Sequence, residues 1–313
     1  MRQLVLMADA HLMNDPDELT DREARLQFFP WLMQRPWMPL SFVRWTIRKM
    51  RQTSLSCLER FRNDSRVQSA DQLVTLGDQL HGIAERGIYG DAGRRVAQDF
   101  LERLSGIANR FPPIHVASEH PLGYWEGEDY FPHIEWSDGR PRFALPIHRD
   151  IGGRMDLDAV SNWVRYFGQL WSSTDIEDLH LVWIDCDLIR WRDRIERHPD
   201  KGFAVRPKQQ DYFLEQALSS SACGSVILLC HRLSSVFASP VVMEYQDRLR
   251  ATVFADFHFQ KAADRAIAAL PPHSFKTWFV PALWGVQFGV GKPGFATLTI
   301  DGDQASFQQH RLV

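Results

Sequence analysis

Several things are scarce in this sequence, and each scarcity narrows the classes it can belong to. Its four cysteines, Cys57, Cys186, Cys223 and Cys230, are scattered and form no Cys-x-x-Cys pair. Three of them sit in or beside apolar runs, so we read them as reduced core residues with no disulfide framework. No apolar stretch approaches the roughly 20 residues that span a bilayer. No signal peptide precedes the first strand, because Met1-Arg2-Gln3 leads directly into it; the expected place is the cytoplasm. There is no surplus of positive charge either. The net charge is -3, so no nucleic-acid partner is expected. Internal repeats and low-complexity tails are absent.

What the chain does have is ordinary in bulk and unusual in detail. Its 313 residues, 44% hydrophobic and 24% charged, suffice for a substantial core in a soluble globular protein. Tryptophan is over-used, with 11 residues. The informative pattern lies at the ends of short apolar runs. Leu4-Val5-Leu6-Met7 stops at Asp9-Ala10-His11, and Leu73-Val74-Thr75-Leu76 at Gly77-Asp78. Ile114-His115-Val116-Ala117 stops at Ser118-Glu119-His120. Val226-Ile227-Leu228-Leu229 delivers Cys230-His231, and Thr252-Val253-Phe254 delivers Ala255-Asp256-Phe257-His258. Runs of this length read as buried strands, and each ends in a carboxylate or imidazole. Open α/β sheets bind ligands at that edge, and Asp, Glu and His are metal-ligand types.

In order and spacing this series resembles the calcineurin-like metallophosphoesterase family, whose pattern is D-x-H, G-D, G-N-H-D/E, H and G-H-x-H. The resemblance runs from Asp9 to His258. Two positions depart from it: Glu119 replaces the family Asn, and Asp256 replaces the first His of the last motif. Ser118 and Ala255 stand where glycines are usual, and Pro121 stands where a carboxylate is usual. The resemblance implies a four-layer α-β-β-α sandwich, two mixed sheets flanked by helices, as one domain over residues 1–313. It also implies a metal-dependent phosphoesterase that hydrolyses a phosphomonoester or phosphodiester through a metal-activated hydroxide at a dinuclear site. By the same resemblance Asp9, His11 and His258 hold one metal, Asp78 bridges, and His231, Glu119 and Asp256 hold the other. His120 matches the histidine that contacts substrate and protonates the leaving oxygen.

The departures keep ligands but change charge. Asp9, Asp78, Glu119 and Asp256 bring four negatives, matching the positives of two divalent ions. A phosphate dianion then meets a neutral cluster, so cationic residues elsewhere become more necessary. More oxygen ligands favour manganese, iron or magnesium over zinc. His81, close after Asp78, is expected to line the site and contact substrate, whereas His115 is read as structural.

Between the first two strands lies an excursion over residues 13–70, rich in Trp and Arg, with no acidic residue from Phe28 to Arg51. Pro30, Pro36 and Pro39 interrupt any continuous amphipathic helix. One reading packs it as helices over the sheet. The other makes it a cap whose aromatics and cations, Arg44 and Arg48 among them, gather an amphiphilic phosphate ester. In that reading residues 28–51 touch a membrane surface peripherally. The layout of this excursion resembles the branch of the family that acts on lipid-linked phosphodiesters, including GPI-anchor-remodelling enzymes. Further on, helical spacing appears over 94–109, 156–171 and 210–218. A hairpin is expected to turn at Asp138-Gly139. A strand over 179–184 ends at Asp185-Cys186-Asp187, and strands over 274–280 and 294–300 read as antiparallel partners joined by a glycine-rich link. The competing reading of the whole chain is a catalytically degenerate fold kept as a protein-binding scaffold.

Overall fold

The computed structural model describes residues 1–21, 23–24, 38–81, 88, 90–122, 133–137, 140–144, 157–190, 192, 196, 207–220, 225–257, 260–284 and 292–312. Glu119 and His120 are described at the backbone only. In chain order the elements are β1 (Arg2–Met7), α1 (Leu40–Asn63), α2 (Ser65–Gln68), β2 (Gln72–Leu76), α3 (Gly90–Leu104), β3 (Ile114–Val116) and α4 (Glu119–Leu122). The hairpin β4 (His133–Ser137) and β5 (Arg140–Ala144) precedes α5 (Leu157–Phe167), β6 (Ser172–Ile176), β7 (Leu179–Trp183) and α6 (Cys186–Arg190). Then come α7 (Pro207–Ser220), β8 (Ser225–Leu229), α8 (Leu233–Ala238), α9 (Pro240–Glu244), β9 (Leu249–Phe254), α10 (Gln260–Ala268), β10 (Lys276–Phe279), β11 (Gly294–Asp301) and β12 (Gln304–Arg311).

Among the described residues these strands form two five-stranded sheets, ordered β12-β11-β1-β2-β3 and β10-β9-β8-β7-β6. In the first, β1, β2 and β3 are parallel and β11 and β12 are antiparallel. In the second, β7 to β10 are parallel and β6 is antiparallel. Both are mixed sheets. Their facing sides share one core, with Leu4, Leu6, Val74 and Leu76 packed into the same cluster as Leu181, Ile227, Leu229 and Val253. Helices cover the outer faces. Cys57, Leu58 and Phe61 of α1 join Val96 and Phe100 of α3 and Trp163 of α5 over the first sheet. Leu214, Val236 and Ala263, from α7, α8 and α10, cover the second. Burial on both sides explains why the central strands are near-continuous apolar runs. The expected α-β-β-α order of layers is what forms.

Within the excursion α1 lies against the sheet through the 3.6-residue spacing of Ser54, Leu58 and Phe61. The stretch from 25 to 37 lies outside the described residues. The hairpin register sets Ser137 opposite Arg140, and the expected turn at Asp138-Gly139 lies outside the described residues.

One expectation fails. β10 and β11 are not antiparallel partners: β10 lies parallel beside β9 in the second sheet, and β11 pairs with β1 in the first. The reason is the segment that follows β10. The N–H groups of Leu283 and Trp284 donate to the carbonyls of Ala8 and Asp9 at 2.8 and 3.0 Å, carrying the chain across to the first sheet.

Candidate metal centre

Four strand exits, two from each sheet, converge at one end of the sandwich. β1 supplies Asp9 and His11, β2 supplies Asp78, β8 supplies His231 and β9 supplies Asp256. One ligand atom from each of Asp9, Asp78 and His231 lies within 4.8 Å of the others, and all three residues are buried. Asp78 is central. Its Oδ2 is 3.3 Å from His231 Nε2 and 3.7 Å from His11 Nε2. His11 Nε2 is also 3.8 Å from Asp9 Oδ1, and His231 Nε2 is 3.7 Å from Asp256 Oδ1. The carboxylate of Asp78 therefore faces a His11–Asp9 side and a His231–Asp256 side.

The backbone is strained where these side chains leave it. Asp9, His11, Asp78 and Asp256 have φ of 50, 44, 48 and 69°. A left-handed residue other than glycine costs about 1–2 kcal/mol, and such strain clusters at functional sites. Hydrogen bonds hold the turns, with His11 N–H donating to the Asp78 carbonyl at 2.8 Å and Ala255 N–H to that of His231 at 3.0 Å. Ser54 of α1 donates to the His11 carbonyl at 3.2 Å.

Around this cluster, polar partners orient the ligands. His231 Nδ1 is 2.7 Å from the Leu76 carbonyl, which assigns a proton to Nδ1 and turns Nε2 toward Asp78. His11 Nδ1 is 3.4 Å from His81 Nδ1, so the expected substrate contact His81 stands behind His11 in the same way. Ser118, at a position where the pattern has glycine, accepts from Asp78 N–H at 2.6 Å and donates to Asp78 Oδ1 at 2.7 Å. Burial opposes a proton on His231, but Asp78, then Asp9 and Asp256, outweigh it and raise its pKa well above the ordinary imidazole value. The neighbouring Cys230 thiol is pushed up to about 12 by burial and offers no thiolate at neutral pH.

Other expected site residues make contacts of their own or lie outside the description. Glu119 and His120 begin α4 at the exit of β3. His258 lies outside the described residues. Arg44 donates to the carbonyls of Pro16 and Leu19 and pairs with Asp21. Arg48 grips both oxygens of Asp17 at 2.8 and 2.9 Å. Both tie α1 to the loop after β1. His115, read as structural, is buried against Thr75 Oγ1 at 2.8 Å. Two residues of the site had no signal of their own in the sequence. Trp284 is buried with its ring 5.2 Å from that of His11. Arg232 places Nη2 3.4 Å from Asp256 Oδ1. The donor set fits divalent cations: carboxylates and imidazoles face one another, and the buried carboxylates of Asp9 and Asp78 each bring an oxygen within 4.8 Å of the other and of a His231 ring nitrogen.

No protein-family model matches the sequence, and no curated protein does. Among solved structures the chain is similar to a purple acid phosphatase, PPD1, isolated from yellow lupin (Lupinus luteus) seeds. The TM-score is 0.49 with 13% identity, over 99% of this chain and 51% of that one. The chain thus spans about half the length of that protein. Among the described residues no helix is long and apolar enough to cross a membrane.

Proposed function

We propose that the protein is a metal-dependent phosphoesterase, acting on a phosphomonoester or phosphodiester at a dinuclear centre. One observation carries the reading: the exits of β1, β2, β8 and β9 bring Asp9, His11, Asp78, His231 and Asp256 around a central buried carboxylate. Asp9 and His11 would hold one cation, His231 and Asp256 the other, and Asp78 both, with Glu119 and His258 completing the set. When bound, two divalent ions neutralise phosphate charge and acidify a water. The protein's own part is to fix the donors, through Leu76, His81 and Ser118, and to keep Nε2 of His11 and of His231 turned inward. His120, at the start of α4, is the proposed proton donor to the leaving oxygen.

The substrate class is narrower in this proposal: a lipid-linked phosphate ester, as for the lipid-linked and GPI-remodelling branch that the layout resembles. Phe42 and Trp45 of α1 support it. They stack at 5.9 Å between ring centroids and are 47% and 52% exposed, as a peripheral membrane contact over residues 28–51 requires.

The test uses protein purified with manganese, metal analysis, and hydrolysis of bis-p-nitrophenyl phosphate and its mono analogue. Bound metal with turnover of either ester is expected, with Asp78→Asn lowering the rate by about 100-fold or more. Protein that carries no metal and turns over neither ester sinks the enzyme and leaves the binding scaffold.

A further inference from the structure

Arg232 follows His231 directly and precedes α8, so the β8 exit that presents the imidazole presents a guanidinium too. Its Nη2 is 3.4 Å from Asp256 Oδ1, the same oxygen that lies 3.7 Å from His231 Nε2. The side chain is only 19% exposed, held at the crevice and not extended into solvent. We propose that Arg232 binds a non-bridging oxygen of the substrate's phosphate; this rests on the phosphoesterase reading and assigns that site its anion-binding cation.

Charge is the first reason. Asp9, Asp78 and Asp256 in the cluster, with Glu119 as the fourth carboxylate of the proposed ligand set, match the positive charge of two divalent ions, leaving little attraction for a dianion. A cation touching the cluster restores it. The second reason is placement. Arg44 and Arg48, the cations expected from the excursion, are paired with Asp21 and Asp17, carboxylates outside the cluster, whereas Arg232 touches a cluster carboxylate. The third is geometry. A guanidinium carries five N–H donors in a planar fork, so it can hold a carboxylate oxygen and a phosphate oxygen together, as an ammonium does less well.

Calorimetric titration of inorganic phosphate into the full-length, manganese-loaded protein tests this, with manganese titrations alongside. Arg232→Gln is expected to weaken phosphate binding about 10- to 100-fold, the range of one charge-assisted hydrogen bond. Manganese affinity should hold or tighten, since Asp256 loses a competitor. Arg232→Lys should recover part of the phosphate affinity, and it keeps the test alive if the glutamine variant fails to fold. Unchanged phosphate affinity in the variants overturns the proposal while leaving the phosphoesterase intact. So does a parallel loss of manganese binding, which would make Arg232 a support for Asp256 only. Wild-type protein that takes up no manganese overturns both.

Discussion

A methyl group on Gly77 would lie 2.3 Å from His231 Nδ1 and 2.8 Å from its Cβ, closer than real atoms approach. The same residue has φ of +85°, where side chains are strained. Both follow from one requirement, that the β2 exit pass close under an imidazole delivered by the other sheet. Gly77→Ala must then displace His231 and break its bond to the Leu76 carbonyl, which orients the ligand nitrogen. We expect metal affinity to fall by about 10- to 100-fold, as when an orienting partner is lost. Gly168→Ala is the control: its φ is +89°, but nothing lies within 4 Å of the added carbon. That variant should melt lower by the backbone cost alone and titrate metal like wild type. Equal metal affinity in both variants would show that the close approach is immaterial. Ser118 makes the same point from the other direction. Where the pattern has glycine, the hydroxyl fills the space and clamps Asp78.

At the scale of elements, β3 shows how a histidine can sit one strand from the site and take no part in it. His115 bonds to Thr75 of β2 and meets Phe167 of α5 edge-on at 5.2 Å. Burial lowers its pKa to about 4. The folded protein keeps the ring neutral while the unfolded chain protonates it near the ordinary 6.5. The contribution of His115 is therefore full above that pH and declines as pH falls toward 4, by about 3 kcal/mol in all. Denaturant unfolding of wild type and His115→Gln from pH 7 to pH 4 checks the sign. The wild type should lose about 3 kcal/mol more than the variant over that range. Parallel profiles would mean the ring is not held neutral. Strands like this one are legible in sequence because both faces are buried, as are the carboxylates and imidazoles that end them. β6 and β12 carry no such signal because they are edge strands, half-buried to exposed and mostly polar (Ser172 to Asp175, and Gln304 to Gln309), with no continuous apolar run. The partner of β10 is not legible in sequence, because alternation along a strand says nothing about which sheet receives it. Arg232 was invisible for a related reason. An arginine after a histidine has no periodicity, and it acquires meaning only when β9 delivers Asp256 beside it.

For the molecule as a whole, the cluster lies on the seam between two sheets that otherwise meet through apolar contact. Asp9, His11 and Asp78 belong to the first sheet, His231 and Asp256 to the second. Four of the six left-handed non-glycine residues among those described, Asp9, His11, Asp78 and Asp256, lie at this one end, while Leu4, Leu6, Leu229 and Val253 hold the sheets together behind it. A cation bound here removes repulsion and ties the sheets together, so its binding energy becomes folding energy. At a free ion concentration about a hundredfold above Kd, the gain is about 2.7 kcal/mol, roughly 5 °C in Tm for a chain of this size. Chelator should reverse it. Asp78→Asn separates the two contributions, since it deletes the central charge without emptying the volume. Without metal the variant should melt close to wild type, because the repulsion between Asp78 and Asp9 and the attraction of Asp78 for a protonated His231 are lost together. With manganese wild type should melt well above the variant, as the variant gains little and wild type gains the full shift. Melting curves of the two proteins, with manganese and with chelator, decide it. If chelator leaves wild type unmoved and Asp78→Asn melts below it in every condition, then Asp78 is a structural carboxylate in a polar core, and the seam is held without metal.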